Sequence, residues 1–269
     1  MRILVLGDLH SRSKWFSWLY WKISEFDLIA IPGDMLDIFQ GNFDGQKQFV
    51  VKWFEIARER GKPLAWCSGN HEVTRWSRAE PDVEESFCWT DWLRFDSIVG
   101  DLETKAYTSA EGEPFLVTCL PHCELQTDAW VGAVEKVLAY ASRERLRLGC
   151  PWMILSHEPP SWTTVATTGN GLQGNDFLRQ WILDFDPDFV FSGHLHQSPF
   201  LSRFWDRIGR TFCINPGHVS NASFPTHVVI DTGTGIAVFH SKRSRLGNLR
   251  PFSTRQESSS FLPRPSIRR

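Results

Sequence analysis

A chain of 269 residues with 42% hydrophobic and 22% charged side chains has the composition of a globular protein with a substantial core. Its formal net charge of −2 hides an asymmetry, because residues 241–269 carry eight Lys/Arg and one acid while residues 1–240 are strongly acidic. An acidic body argues against broad nucleic-acid binding, and no apolar run approaches the length of about 18 residues that a membrane-spanning helix needs.

Residues 2–6 form a short apolar run that reaches Gly7-Asp8, the pattern of a buried strand, and leave no space for the apolar region of a signal peptide. The six cysteines, at 67, 88, 119, 123, 150 and 213, lack the spacing of a disulfide framework. They are read as reduced thiols of a cytoplasmic protein. Cys119-x-x-His122-Cys123 offers half of a metal site, without a second ligand pair at a matching spacing.

From Lys14 to Ile23, Trp15, Trp18, Leu19 and Trp21 recur at helical spacing and predict a helix packed on a sheet. Asp27–Ile31 reads as a strand ended by Pro32-Gly33-Asp34. The clearest helix runs from Gln46 to Arg60, with Phe49, Val50, Trp53, Phe54 and Ala57 on one face and Gly61 after it. Pro63–Cys67 is a further strand, ended by Ser68-Gly69-Asn70-His71. Residues 72–104, irregular and rich in acids and tryptophans, read as an insertion near the mouth of any site.

Lys105–Thr108 and Phe115–Leu120 predict a β-hairpin, and Thr127–Leu148 a long helix with Trp130, Val134, Val137, Leu138 and Ala141 inward. Trp152–Leu155 is a strand ended by Ser156-His157, and a Gly/Thr/Asn-rich loop leads to a helix over Asn175–Phe185. Leu178, Trp181, Ile182 and Phe185 form its apolar stripe. Phe189–Ser192 is the strand before Gly193-His194-Leu195-His196. Pro199–Trp205, Arg210–Ile214, His227–Asp231 and Ile236–His240 read as consecutive antiparallel strands. Residues 241–269, rich in Ser, Arg and Pro, read as a flexible basic tail after one domain spanning residues 1–240. Alternating β and α elements with added hairpins predict an α/β fold: a four-layer α/β/β/α sandwich with two mixed sheets.

Five strands end in polar clusters: Gly7-Asp8-Leu9-His10, Gly33-Asp34-Met35-Leu36-Asp37, Gly69-Asn70-His71-Glu72, Ser156-His157 and Gly193-His194-Leu195-His196. Functional groups collect at the carboxyl ends of strands in open α/β sheets, so the five are expected to converge. Carboxylates, imidazoles and one amide, without a thiolate, suit Mn²⁺, Fe²⁺, Zn²⁺ or Ni²⁺ better than Ca²⁺. The number of groups suits two divalent ions.

In this order and spacing the clusters resemble the calcineurin-like metallophosphoesterases, whose pattern is D-x-H, G-D-x-x-D, G-N-H-[DE], H and G-H-x-H. The resemblance spans residue 3 to about residue 217. It implies that Asp8, His10 and His196 hold a first metal, that Asp34 bridges, and that Asn70, His157 and His194 hold a second. It further implies that His71 faces the scissile phosphate with Asp37 orienting its ring, and that a metal-bridging hydroxide cleaves the ester. Manganese is the favoured ion.

The protein Ser/Thr phosphatase branch would have Arg-Gly soon after the second motif, where this chain has Ile38-Phe39. His157-Glu158-Pro159-Pro160 and Asn215-Pro216-Gly217 are similar to the phosphodiesterase branch instead, which favours small nucleotide-type substrates. Phosphomonoesterase or nuclease activity is the alternative within the family, and an inactive binding scaffold of the same fold is the alternative outside enzymes. Arg12, Arg75, His122 and His218 are the candidate substrate contacts. Trp76, Phe87, Trp89 and Trp92 of the insertion are candidates for stacking on a base.

Overall fold

The computed structural model describes residues 1–73, 93, 95, 97–122 and 126–242. Most of the predicted insertion and nearly all of the basic tail therefore lie outside the described residues, as do Arg75, Trp76, Phe87, Trp89, Trp92, Cys88 and Cys123.

The elements follow in chain order as β1 (Arg2–Val5), α1 (Ser13–Lys22), β2 (Leu28–Pro32), α2 (Phe43–Ala57), β3 (Leu64–Cys67) and the single turn α3 (Asn70–Val73). Next come β4 (Glu103–Thr108), β5 (Pro114–Leu120), α4 (Asp128–Leu148), β6 (Trp152–Ser156) and a small ribbon of β7 (Thr167–Thr168) and β8 (Gly171–Leu172). The remainder is α5 (Asp176–Phe185), β9 (Phe189–Phe191), α6 (Ser198–Leu201), β10 (Trp205–Ile208), β11 (Thr211–Ile214), β12 (His227–Asp231) and β13 (Ile236–His240).

One sheet has the order β13-β12-β1-β2-β3 and the other β10-β11-β9-β6-β5-β4. Both are mixed. β1, β2 and β3 run parallel in the first, and β5, β6, β9 and β11 run parallel in the second. The strands are apolar on both faces because each sheet is covered on both sides. Ile3, Val5, Leu28 and Ala30 face the other sheet, where they meet Phe115, Val117, Met153, Leu155, Phe189 and Phe191. The alternating partners Leu4, Leu6, Ile29 and Ile31 pack on Trp15, Phe16 and Leu19 of α1 and on Val50, Trp53 and Phe54 of α2. On the other side Leu116, Trp152, Ile154 and Val190 pack on α4 and α5. The layers are thus α/β/β/α, as expected.

Three local readings are corrected. Trp21 is 69% exposed, because α1 buries the Trp15, Phe16 and Leu19 stripe and Trp21 falls outside it. Pro199–Trp205 is no strand: Pro199 sits in the first turn of α6, where a fixed φ and a missing N–H cost nothing, and the strand begins only at Trp205. The C-terminal strands are not one meander. β11 pairs parallel with β9, whereas β12 crosses to the other sheet and pairs with β1.

Candidate metal centre

Parallel strands in both sheets open their carboxyl ends toward one edge, and the polar clusters are stitched together there by backbone bonds. Asp8 N–H reaches the Gly33 carbonyl at 3.1 Å, His10 N–H the Asp34 carbonyl at 2.9 Å, and Gly193 N–H the His157 carbonyl at 2.9 Å. The last of these joins neighbouring strands of the second sheet, and the His194 N–H, which reaches Asp8 Oδ1 at 3.1 Å, spans the two sheets. Asp8, His10, Asp34 and His194 all hold left-handed backbone angles, with φ of 55°, 45°, 53° and 62°. Such angles in non-glycine residues each cost about 1–3 kcal/mol and persist where the surroundings over-determine them. Two glycines admit the closest approaches. A Cβ on Gly33 would stand 2.3 Å from His157 Nδ1, and one on Gly69 would stand 2.2 Å from Asp34 Oδ1.

The side chains form two groups that meet on Asp34. In the first, His196 Nε2 lies 3.2 Å from Asp8 Oδ1 and 3.3 Å from His10 Nε2. One donor atom each from Asp8, His10, Asp34 and His196 fall within 4.8 Å of one another. In the second, the Asn70 carbonyl oxygen lies 3.0 Å from His157 Nε2 and 3.0 Å from His194 Nδ1. His157 Nε2 is also 3.3 Å from Asp34 Oδ2. His71 stands beside both, its Nε2 3.8 Å from Asp34 Oδ2 and its ring 4.6 Å from that of His10.

Electrostatics follow the packing. Burial works against the charge on Asp34, yet the neighbouring His157 holds its carboxyl down at about 2. Burial likewise opposes charge on His157, and Asp34 outweighs it, lifting the imidazole to about 10. Asp8 is pulled far below the carboxylate range by His196 despite complete burial. His194 is pushed down to about 4 by burial and by His157.

The donor set fits divalent cations. Asp8 Oδ2 is buried without a hydrogen-bond partner among the described residues. His10 Nδ1 donates to the Leu36 carbonyl at 3.2 Å, so its Nε2 lone pair faces the Nε2 of His196 rather than a proton donor of the backbone. His157 likewise donates from Nδ1 to the Pro32 carbonyl at 2.9 Å. Imidazoles fixed in this way are the usual form of histidine ligands.

Of the candidate substrate contacts, His122 lies next to the second group, its ring 5.8 Å from that of His157 and 6.3 Å from that of His194. Burial pushes it down to about 3. His218 lies next to the first group, stacked on His196 at 4.5 Å. The Arg12 guanidinium lies over Trp15 at 5.0 Å, one ring behind His218, and its Nε is buried. Asp37 shares a cluster with His10 and His71. Its carboxylate accepts the Phe39 N–H at 2.9 Å and the Gln40 amide at 2.7 Å, while the bond to His71 Nδ1 comes from the Ile38 N–H at 3.2 Å.

Three supporting residues were given no role of their own by the sequence reading. Glu72 is buried behind the centre, where it accepts N–H groups from Asp34, Gly69 and Leu36 at 2.9, 2.7 and 2.8 Å. Burial and the charge of Asp34 push its carboxyl up to about 8 against the pull of these donors. Asn215 is fully buried, and its amide reaches the carbonyls of Val165, Gly193 and Leu195 at 3.2, 3.1 and 3.3 Å. The Asn-Pro-Gly turn therefore pins the backbone that carries His194 and His196. Phe39, 84% exposed, stands edge-on to His71 at 5.5 Å. The acidic residue after Asn-His and the Asn-Pro-Gly turn were visible as motif positions, but nothing local marked Phe39.

A model of the calcineurin-like phosphoesterases matches residues 1–198. No curated protein sequence matches the chain significantly. Among solved structures, a dimetal phosphatase from Danio rerio superposes with a TM-score of 0.51 at 10% identity, over 85% of this chain and 92% of that one. A purple acid phosphatase from yellow lupin (Lupinus luteus) seeds gives 0.50 at 12% identity, over 92% of this chain and 55% of that one. A third solved chain gives 0.60 at 15% identity, over 89% and 98%. At such identities the likeness concerns the fold, which is the same layered arrangement. The family match spans most of the chain and all five strand-end clusters: this protein belongs to the calcineurin-like phosphoesterases, a family of dinuclear metal-dependent hydrolases.

Proposed function

We propose that the chain hydrolyses phosphodiesters, with small nucleotide-type compounds as substrates and Mn²⁺ as the working ion. The observation that carries this reading is the position of His71 between the two donor groups and Phe39. Asp8, His10, Asp34 and His196 would hold one cation, and Asp34, Asn70, His157 and His194 the other. When bound, such a pair supplies Lewis acidity and an activated water at neutral pH.

The chain's own part is orientation and hydrogen bonding to the leaving group. His71 Nδ1 receives the Ile38 N–H, so the neutral ring carries its proton on Nε2, the atom nearest Asp34. That N–H can hold the leaving oxygen by a hydrogen bond as the bond from phosphorus to that oxygen breaks and the bond to the water oxygen forms, and the oxygen, stabilised there, takes its proton from solvent. The proton of the attacking water leaves the site to solvent. Asp37, by ordering the turn that contains Ile38 and Phe39, would act on His71 through that turn. An exposed ring beside the hydrogen-bond donor supports a flat, apolar leaving group or base, since stacking on an aromatic is worth about 1–3 kcal/mol per base in nucleic-acid binders.

The test is a panel of cyclic nucleotides, dinucleotides, nucleotide monoesters and bis-aryl against mono-aryl phosphates, assayed with Mn²⁺. Diesters should be turned over faster than the matching monoesters, and Phe39→Ala should raise KM for nucleotides more than for small alkyl esters. Asp34→Ala should lose both metals by elemental analysis and nearly all turnover. A preference for monoesters would overturn the substrate reading, and two tightly held metals in Asp34→Ala would overturn the ligand assignment.

A further inference from the structure

Three histidines, not two, ring the first donor group. His218 is only 8% exposed. Its ring centre lies 4.5 Å from that of His196 and 5.1 Å from that of His10, and those two are 5.2 Å apart. Three imidazoles on one cation, with metal–nitrogen bonds of about 2.0–2.1 Å and angles between a right angle and a tetrahedral one, place their centres roughly 4.5–5.2 Å apart. One ring nitrogen from each of His10, His196 and His218 lies within 4.8 Å of the others.

Hydrogen bonds sort the histidines of the centre into two kinds. His10, His157 and His218 each face a backbone carbonyl with Nδ1: Leu36 at 3.2 Å, Pro32 at 2.9 Å and Asp8 at 2.8 Å. A carbonyl only accepts, so Nδ1 carries a proton in all three and Nε2 is the nitrogen left to ligate, the orientation found in histidine ligands. His71 has the reverse pattern, its Nδ1 accepting the Ile38 N–H. His218 thus shares the orientation of His10 and His157 and not that of His71. The same group contains the buried Asp8 Oδ2, which has no hydrogen-bond partner among the described residues.

We propose that His218 is a further ligand of the cation held by Asp8, His10 and His196, and not a substrate contact. This rests on the two-metal reading above. It makes the first site richer in imidazole than the second, which shifts its preference toward borderline ions and away from hard ones such as Mg²⁺.

The experiment titrates cobalt(II) into metal-free wild type, His218→Ala and His218→Asn, following heat and visible absorption. The Asn amide can still donate to the Asp8 carbonyl, so it separates ligation from support of the loop. Wild type should bind two cobalt ions. Both variants should lose about 10–100-fold in affinity for one of them, with a changed visible spectrum, and added imidazole should restore both in His218→Ala. Unchanged affinities and spectra in both variants would overturn the proposal, as would full recovery in His218→Asn. A wild type that binds fewer than two ions would remove the two-metal reading itself, and the proposal with it.

Discussion

The His71 ring accepts the Ile38 amide on Nδ1, and this makes its role separable from that of the donor groups around it. Because His71 Nδ1 is occupied by the Ile38 N–H, removing the ring should leave the metal donors in place. His71→Ala is expected to keep its metals and to lose about 10²–10⁴-fold in kcat. The loss should shrink for esters with strongly acidic leaving groups, whose leaving oxygens need less stabilisation. An equal loss across a leaving-group series would mean that the ring acts by charge alone. Outside the two donor groups, His227 makes a second residue-scale prediction. It is packed against Trp18 and stacked on His240 at 4.6 Å, and burial pushes it from 6.5 down to about 4. Between those values the unfolded chain binds a proton that the folded chain refuses. His227 therefore contributes its full stabilisation above about pH 6.5 and loses it as the pH falls toward 4. His227→Phe should narrow the difference between urea midpoints measured at about pH 7 and pH 4.5. An unchanged difference would assign the acid sensitivity to other groups.

At the scale of elements, the centre depends on loops that are braced from behind. The turn after β11 holds the loop after β9, through one amide shared among three carbonyls. Asn215→Ala would leave those carbonyls buried and unpaired, at about 1–3 kcal/mol for the first lost partner. The expected outcome is a lower denaturation midpoint together with weaker metal binding, because His194 and His196 ride on the loosened segment. Asn215→Asp should be worse than Ala, since a carboxylate facing three carbonyls adds repulsion to the missing donors. A variant with lowered stability and wild-type metal affinity would show that the loop keeps its shape without this brace.

For the molecule as a whole, the core between the sheets carries the stability, and its far end has no part in the chemistry. Phe115 is fully buried in that core near the start of β5, while the other end of the strand leads to His122. Phe115→Ala is expected to cost about 3–5 kcal/mol, the range for removing a buried aromatic ring. It should lower Tm while leaving metal content and kcat per folded molecule unchanged. A loss of metals in step with the loss of stability would show instead that the two sheets position the ligands only when their whole interface is intact.

The strand-end clusters were legible in the sequence because each is local: an apolar run, a turn residue and polar groups within four or five positions. The same holds for α2, where Val50, Trp53, Phe54 and Ala57 recur at helical spacing and are the residues buried. Motif order then sufficed for the family and for the layered architecture. What it left open was every choice made between distant segments. Trp21 and Trp15 look alike in a helical pattern, but only the sheet beneath α1 selects which is buried. Strands β11 and β12 are both short and apolar, and which sheet each joins depends on the free edges left by β9 and β1. His218 was noticed through its proximity to a turn, but what orients its ring is the Asp8 carbonyl 210 residues away. Periodicity and turn chemistry act over a few residues and are written in the chain. Hydrogen-bond partners, the protonated nitrogen of each imidazole and the buried face of each helix are set by packing across the whole fold, and only the tertiary structure decides them.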